Sequence, residues 1–273
     1  MILPEFLQFA FMQRALVGGV LVALVLGWIG VYATSRNMSF VGEGVAHASL
    51  AAIAFALLVG WSPMPAAIIF GVLLACILYV LDTKTSISRD TAIGVIFSSG
   101  MALGVLLLQF NEGYVPELMS FLFGSILSIT NADLVVVSLA ASSMIGILFF
   151  LRKQLLFLTV DPEGAYLSGM NKQSIELLLY ILTAVSVVVS SKLVGIVLVS
   201  GLLVLPSAIA KAYAKSFSQF LLMAIIASVT FVVTGLIVSF YADWPSGASI
   251  VLVGTMLFLV SRVISFGIKK FSR

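Results

Sequence analysis

An all-α, polytopic bundle of eight or nine membrane spans is the fold class that three features of the sequence predict. Apolar runs of about 20 residues, enough to cross roughly 30 Å of hydrocarbon as helices, recur from near the first residue almost to the last. Mean hydropathy is +1.23 and only 9% of the 273 residues are charged, far below the roughly one quarter usual in soluble domains. The cations gather in short connections, where membrane topology explains them. No soluble domain fits between the runs, so residues 1–273 read as a single transmembrane domain in contact with the lipid bilayer.

The spans read, in order, as 15–33, 38–60, 65–81, 91–110, 132–151, 174–190, 193–210, 217–241 and 248–266. The second carries "VGEGVAHASLAA", an ionisable pair among small residues. The fourth opens "GVIFSSGMALG", in which Gly100 and Gly104 make a small-xxx-small face for close helix packing. The stretch "LMSFLFGSILSIT", 118–130, is too short to cross and reads as a half-helix at the outer interface. The seventh span holds Gly195, Ser200, Gly201, Pro206 and Ser207. Proline removes a backbone donor, which a membrane tolerates where protein or a cavity satisfies the freed carbonyl. Ser200, Gly201 and Pro206 are therefore pathway-lining candidates, with a purely structural kink as the competing reading. Between the last two spans, "YADWPSG" is a tight outer turn anchored by Trp244. The ten methionines read as packing filler.

Lys84 and Arg89, then Arg152, Lys153 and Lys172, then Lys211 and Lys215, and finally Lys269, Lys270 and Arg273 mark one side as cytoplasmic. The opposite connections carry Glu112, Glu117 and Asp243, with Lys192 as the one cation. Nine crossings then put the C-terminus inside and the N-terminus outside, and the N-terminal side flips if the first or seventh span does not cross. The net charge of +3 is thus a topology signal and does not imply nucleic acid. A cleaved signal peptide is not expected, because Glu5 stands where a basic cluster would. The single cysteine, Cys76, lies in an apolar segment and excludes both a disulfide framework and a cysteine metal cluster. No internal repeat is visible.

Glu43 and His47, the only histidine in the chain, stand four residues apart, so a helix puts both on one face. That is metal-ligand spacing. An ionisable group inside a span costs on the order of 3 kcal/mol by insertion scales and normally faces a cavity, a partner or a passing ion. A hydrogen-bonded interior pair and a proton relay fit the spacing as well. On the cytoplasmic side, "LTVDPEGAYLSGMNK" specifies a short capped helix: Asp161 as N-cap, Pro162 at the first helical position, Glu163 at the positive end of the dipole, Gly169 at the left-handed C-terminal position. Ala165 lies within it, and Tyr166 and Leu167 offer apolar contacts, so it reads either as a plain connector or as a docking helix for a cytoplasmic partner. No phosphate loop of the GxxxxGK[ST] type and no GxGxxG after a strand occurs, so nucleotide chemistry belongs to a partner chain.

In the blocks "RNMSFVGEGVAHASLAAIAF", "SISRDTAIGVIFSSGMALGVLLL", "LMSFLFGSILSIT", "VDPEGAYLSGM", "KLVGIVLVSGLLVLPSAIA" and "YADWPSGASIVL", in that order, the chain resembles the membrane permease subunits of ABC importers for zinc, manganese or iron, most of all the zinc permeases. The resemblance runs over nearly the whole length. It implies a non-catalytic, multi-pass permease of a bacterial plasma membrane, acting as a homodimer. Its implied partners are a cytoplasmic ABC ATPase subunit and an extracytoplasmic metal-binding protein. It also implies no permanently bound cofactor, but a transported divalent cation, Zn or Mn, held by Glu43 and His47. The family's acid at this position is commonly Asp, so Glu43 is a departure. A proton-coupled secondary transporter would use the same pair without an ATPase, and a permease for metal chelates would bind no free ion. A lone histidine does not make the HExxH site of an intramembrane metalloprotease.

Overall fold

The computed structural model describes residues 5–110, 126 and 129–271, and every regular element among them is helical. A 3-10 turn at Glu5–Gln8 leads into α1 (Ala10–Ser35), α2 (Val41–Leu58), α3 (Pro63–Lys84), α4 (Arg89–Leu108), α5 (Asn131–Val160), α6 (Pro162–Leu167), α7 (Lys172–Val194), α8 (Ile196–Tyr213), α9 (Phe217–Ala242) and α10 (Ser246–Phe271). Among the described residues nine of these, all but α6, are long and apolar enough to cross a membrane. The half-helix expected over 118–130 lies outside the described residues except for Ile126, Ile129 and Thr130.

Three boundaries differ from the sequence expectation, each for a local reason. The fifth span does not end at 151 but runs to Val160, because no proline or glycine interrupts "RKQLLFLTV" before Asp161 and Pro162 stop it. The first starts at Ala10 rather than 15. It takes Gln13 and Arg14 into the helix, where the Arg14 guanidinium donates to the Ile129 carbonyl at 2.7 Å. Lys192 belongs to the last turn of α7 rather than to a loop, and its ammonium pairs with Asp133 at 2.8 Å. Asp133 in turn closes a capping box with Thr130 at the start of α5.

Helices α1, α2 and α7 carry the most buried faces, and α4, α5 and α10 lie at the periphery. Glycine lets α1 sit deep: a Cβ at Gly30 would overlap the Leu203 carbonyl of α8, and one at Gly27 would press on Ser228 and Ile225 of α9. Thr34 and Ser207 share a 2.6 Å hydrogen bond across the same α1–α8 seam. The peripheral helices expose Val95, Leu139, Phe150 and Val263, the surface that hydrocarbon would cover.

The polar ties between helix ends fall into two sets. Arg14 with Ile129 and Lys192 with Asp133 join the starts of α1 and α5 and the end of α7. Arg36 with Glu176 and Arg89 with Asp82 join the opposite ends of α1, α3, α4 and α7. Helices α1, α3 and α5 therefore run in one direction and α4 and α7 in the other, as the charge pattern requires. The second set shares its side with Lys84, Lys172, Lys211 and Lys215, the side that the charge pattern assigns to the cytoplasm.

Candidate functional site

Small residues bring α2 and α4 together. A Cβ at Gly44 would meet Ile93, one at Gly100 would fall on the Cα and Cβ of Ala48, and one at Gly104 would meet Leu50 and the Ala51 nitrogen. These contacts advance along both chains together, so the helices run side by side in the same direction. Between their inner halves lies an open cavity of about 260 Å³ lined by Phe40, Glu43 and Gly44 of α2 and its approach and by Asp90, Ile93, Gly94 and Phe97 of α4.

His47 stands one turn further along α2, half-buried, with its ring tilted against Phe97 at a centroid distance of 4.8 Å. Its Nδ1 lies 3.0 Å from the Glu43 backbone carbonyl. A carbonyl only accepts, so Nδ1 is the donor here, and in the neutral ring this tautomer leaves the Nε2 lone pair outward. This is how a ligating histidine is usually held: one nitrogen fixed by a backbone acceptor, the other free for an ion or a proton. Glu43 is among the residues that line the cavity, whereas His47 is not, and its ring packs against Phe97, which is. Among the described residues no group of three or more His, Cys, Asp or Glu stands together, so these residues of one chain do not enclose an ion.

Asp90 was not singled out by the sequence reading. Its position in the first turn of α4, after the Ser88 N-cap that accepts from the Thr91 amide, looks like ordinary helix-dipole chemistry. Only the α2–α4 pairing, between helices that are not consecutive, reveals that it shares a cavity with Glu43.

The inner segment folds as its caps dictate. Asp161 accepts from the Gly164 amide at 2.9 Å, Pro162 opens α6, and Glu163 stands in its first turn. Gly169, at φ +80°, takes the left-handed conformation that a Cβ would oppose. Ala165 is buried and pins the helix to the bundle, while Tyr166 and Leu167 are 70% and 82% exposed. On one side of α6 a groove of about 960 Å³ runs between the helix, the end of α3 and the start of α7, with Tyr79, Lys84, Glu163, Tyr166 and Glu176 on its walls.

The third group of sequence candidates lies elsewhere. Gly201 packs toward Val251 of α10, Pro206 is buried, and the Ser200 hydroxyl donates to the Ile196 carbonyl of its own helix. None of the three borders the cavity that holds Glu43 and Asp90.

The sequence matches the profile described as the ABC 3 transport family over residues 8–265. The chain belongs to that family. Family relatives include the high-affinity zinc uptake system membrane protein ZnuB of Haemophilus influenzae, 30% identical over 254 residues, which are 93% of this chain and 97% of the relative. The manganese import system permease protein ScaB of Streptococcus gordonii is 33% identical over 270 residues, 96% of each chain. Among solved structures, PsaBC from Streptococcus pneumoniae in complex with Fab superimposes with a TM-score of 0.84 at 30% identity and covers 95% of both chains. This family member is thus a multi-pass membrane protein with a metal-type ABC permease fold, and sequence identity alone does not separate its zinc relatives from its manganese relatives.

Proposed function

We propose that the chain is the membrane-spanning, non-catalytic subunit of an ABC importer that moves a divalent metal cation, zinc first and manganese second, into a bacterial cytoplasm. Glu43 and His47 hold the ion in passage. The observation that carries this reading is His47: a lone imidazole held through Nδ1, one helical turn from Glu43, a residue that lines an open cavity. An imidazole and a carboxylate suit zinc or manganese, and at such a mixed site zinc binds the more tightly of the two. So few donors per chain suit a site that ions can leave, as conduction requires. Two copies of the chain, an extracytoplasmic metal-binding protein and a separate ATPase complete the importer, with α6 as the surface on which the ATPase acts.

The test is reconstitution in liposomes with the ATPase and the binding protein. Zinc and manganese should stimulate ATP hydrolysis and appear inside the vesicles, whereas a complex stimulated by no divalent cation would refute the reading. Cation uptake persisting without any ATPase would favour a proton-coupled carrier instead.

A smaller effect is expected at the docking surface. Asp161→Ala removes the cap of a one-and-a-half-turn helix and should cost about 1 kcal/mol of its order. Copurification of the ATPase should weaken while zinc binding by the permease stays unchanged, and undiminished copurification would separate α6 from docking.

A further inference from the structure

At the cytoplasmic ends of the helices, four charged side chains sit where water barely reaches. The Arg36 guanidinium at the end of α1 pairs with Glu176 of α7, the two side chains being 12% and 11% exposed, and also donates to the Leu158 carbonyl of α5 at 2.8 Å. Arg89 at the start of α4 pairs with Asp82 of α3 and donates to the backbone carbonyl of Arg36. Asp82 accepts a second hydrogen bond, 2.7 Å long, from the Tyr180 hydroxyl of α7, and the Arg89 guanidinium lies over the Tyr180 ring. Five helices are tied together by these groups.

The cluster occupies the space between the two features described above. Glu176 is both a wall of the groove beside α6 and the partner of Arg36. Tyr79, another wall of that groove, meets the Tyr180 ring edge-on at 5.9 Å. Two routes therefore lead from the groove to Arg89, one through Glu176 and Arg36, the other through Tyr79, Tyr180 and Asp82. The residue after Arg89 is Asp90, which borders the cavity with Glu43, and the Arg36 carbonyl that Arg89 holds begins the turn into α2 through Phe40, another wall of the cavity.

We propose that Arg36 and Arg89 are positioning residues for transport. They link the groove beside α6 to the α2–α4 cavity, so that a partner seated in the groove shifts the starts of α2 and α4 relative to each other. With side chains 11–22% exposed, each pair is costly to break by removing one partner alone. Among the described residues each guanidinium also keeps one buried donor without a partner, Nε of Arg36 and Nε of Arg89. A buried donor left unmatched requires a reason, and a second arrangement of the same helices, in which those donors find acceptors, supplies one. A pure anchor would have no need to face both the groove and the cavity.

This inference rests on the importer reading, and the experiment separates the two. The full complex, with ATPase and binding protein, is reconstituted in liposomes, and ATP hydrolysed is compared with zinc carried. Zinc binding to the purified permease is measured alongside by competition with a chelating dye. Arg36→Gln and Glu176→Gln should each cut zinc carried per ATP several-fold and raise hydrolysis in the absence of zinc, with zinc binding within twofold of the parent. The exchanged pair, Arg36→Glu with Glu176→Arg, should recover most of the ratio, and a ratio that falls in single variants whose thermal midpoint in detergent stays at the parent value separates coupling from general stability. Tyr180→Phe keeps every charge paired and removes one hydrogen bond. It provides the same readout if the charge variants do not accumulate, and it should lower the ratio about twofold. An unchanged ratio in Tyr180→Phe and in the folded charge variants overturns the coupling role, as does an exchanged pair no better than either single change. A parent complex that zinc does not stimulate would instead count against the importer reading itself.

Discussion

Replacing His47 with alanine should lower zinc uptake on the order of 100-fold or more, since even the groups that merely orient a metal ligand are worth 10- to 100-fold. The imidazole cannot be replaced from nearby, because it is the only one in the chain and the sole cysteine, Cys76, belongs to another helix. Glu43→Gln keeps size and shape and removes the charge, so its loss of uptake isolates the electrostatic part of the site. Phe97→Leu should have a lesser effect: it removes the ring that braces the imidazole while leaving the Nδ1 bond to the Glu43 carbonyl. Uptake of radiolabelled zinc into cells, at equal membrane abundance and with ATPase assembly verified, is the measurement. Normal kinetics in both His47→Ala and Glu43→Ala would remove the ligand role.

What the sequence reveals depends on the range of the interaction that encodes it. The nine candidate spans found among the described residues were legible because lipid imposes a composition on each segment independently, so "PAAIIFGVLLACILYVL" or "FLLMAIIASVTFVVTGLIV" speaks for itself. The Glu43–His47 face and the Asp161 cap were legible for the same reason, being encoded within one or two turns. Helix ends were harder to read. Charge inside a helix end looks like charge in a loop, so Arg14, Arg152 and Lys192 were placed outside helices that contain them. Contacts between non-consecutive helices left no trace at all. Asp90 on the wall of the cavity that Glu43 lines and Arg36 with Glu176 each join elements that the chain order does not pair. The positive-inside pattern explains away such an arginine before any partner is sought.

A large structural effect at the site should come from Gly100. Any Cβ there would fall on the Cα and Cβ of Ala48, atoms on a helix buried against α3, α7 and α8, so α2 cannot retreat and α4 must move. Gly100→Val should therefore cost about 1–3 kcal/mol, the usual range for overpacking a filled contact, and the cost should show as a lower midpoint of thermal unfolding in detergent. Gly94 lies on the same helix six residues earlier, yet a Cβ there meets nothing within 4 Å among the described residues. Gly94→Ala should be neutral or raise the midpoint slightly, because alanine is the better helix former by about 1 kcal/mol. The two glycines thus test different causes, contact at one and backbone propensity at the other. Displacement of α4 by Gly100→Val also separates Phe97 from His47, so zinc uptake should fall further than the loss of folded protein accounts for. A Gly100→Val protein that unfolds at the parent temperature and carries zinc at the parent rate would mean that the α2–α4 seam does not position the site.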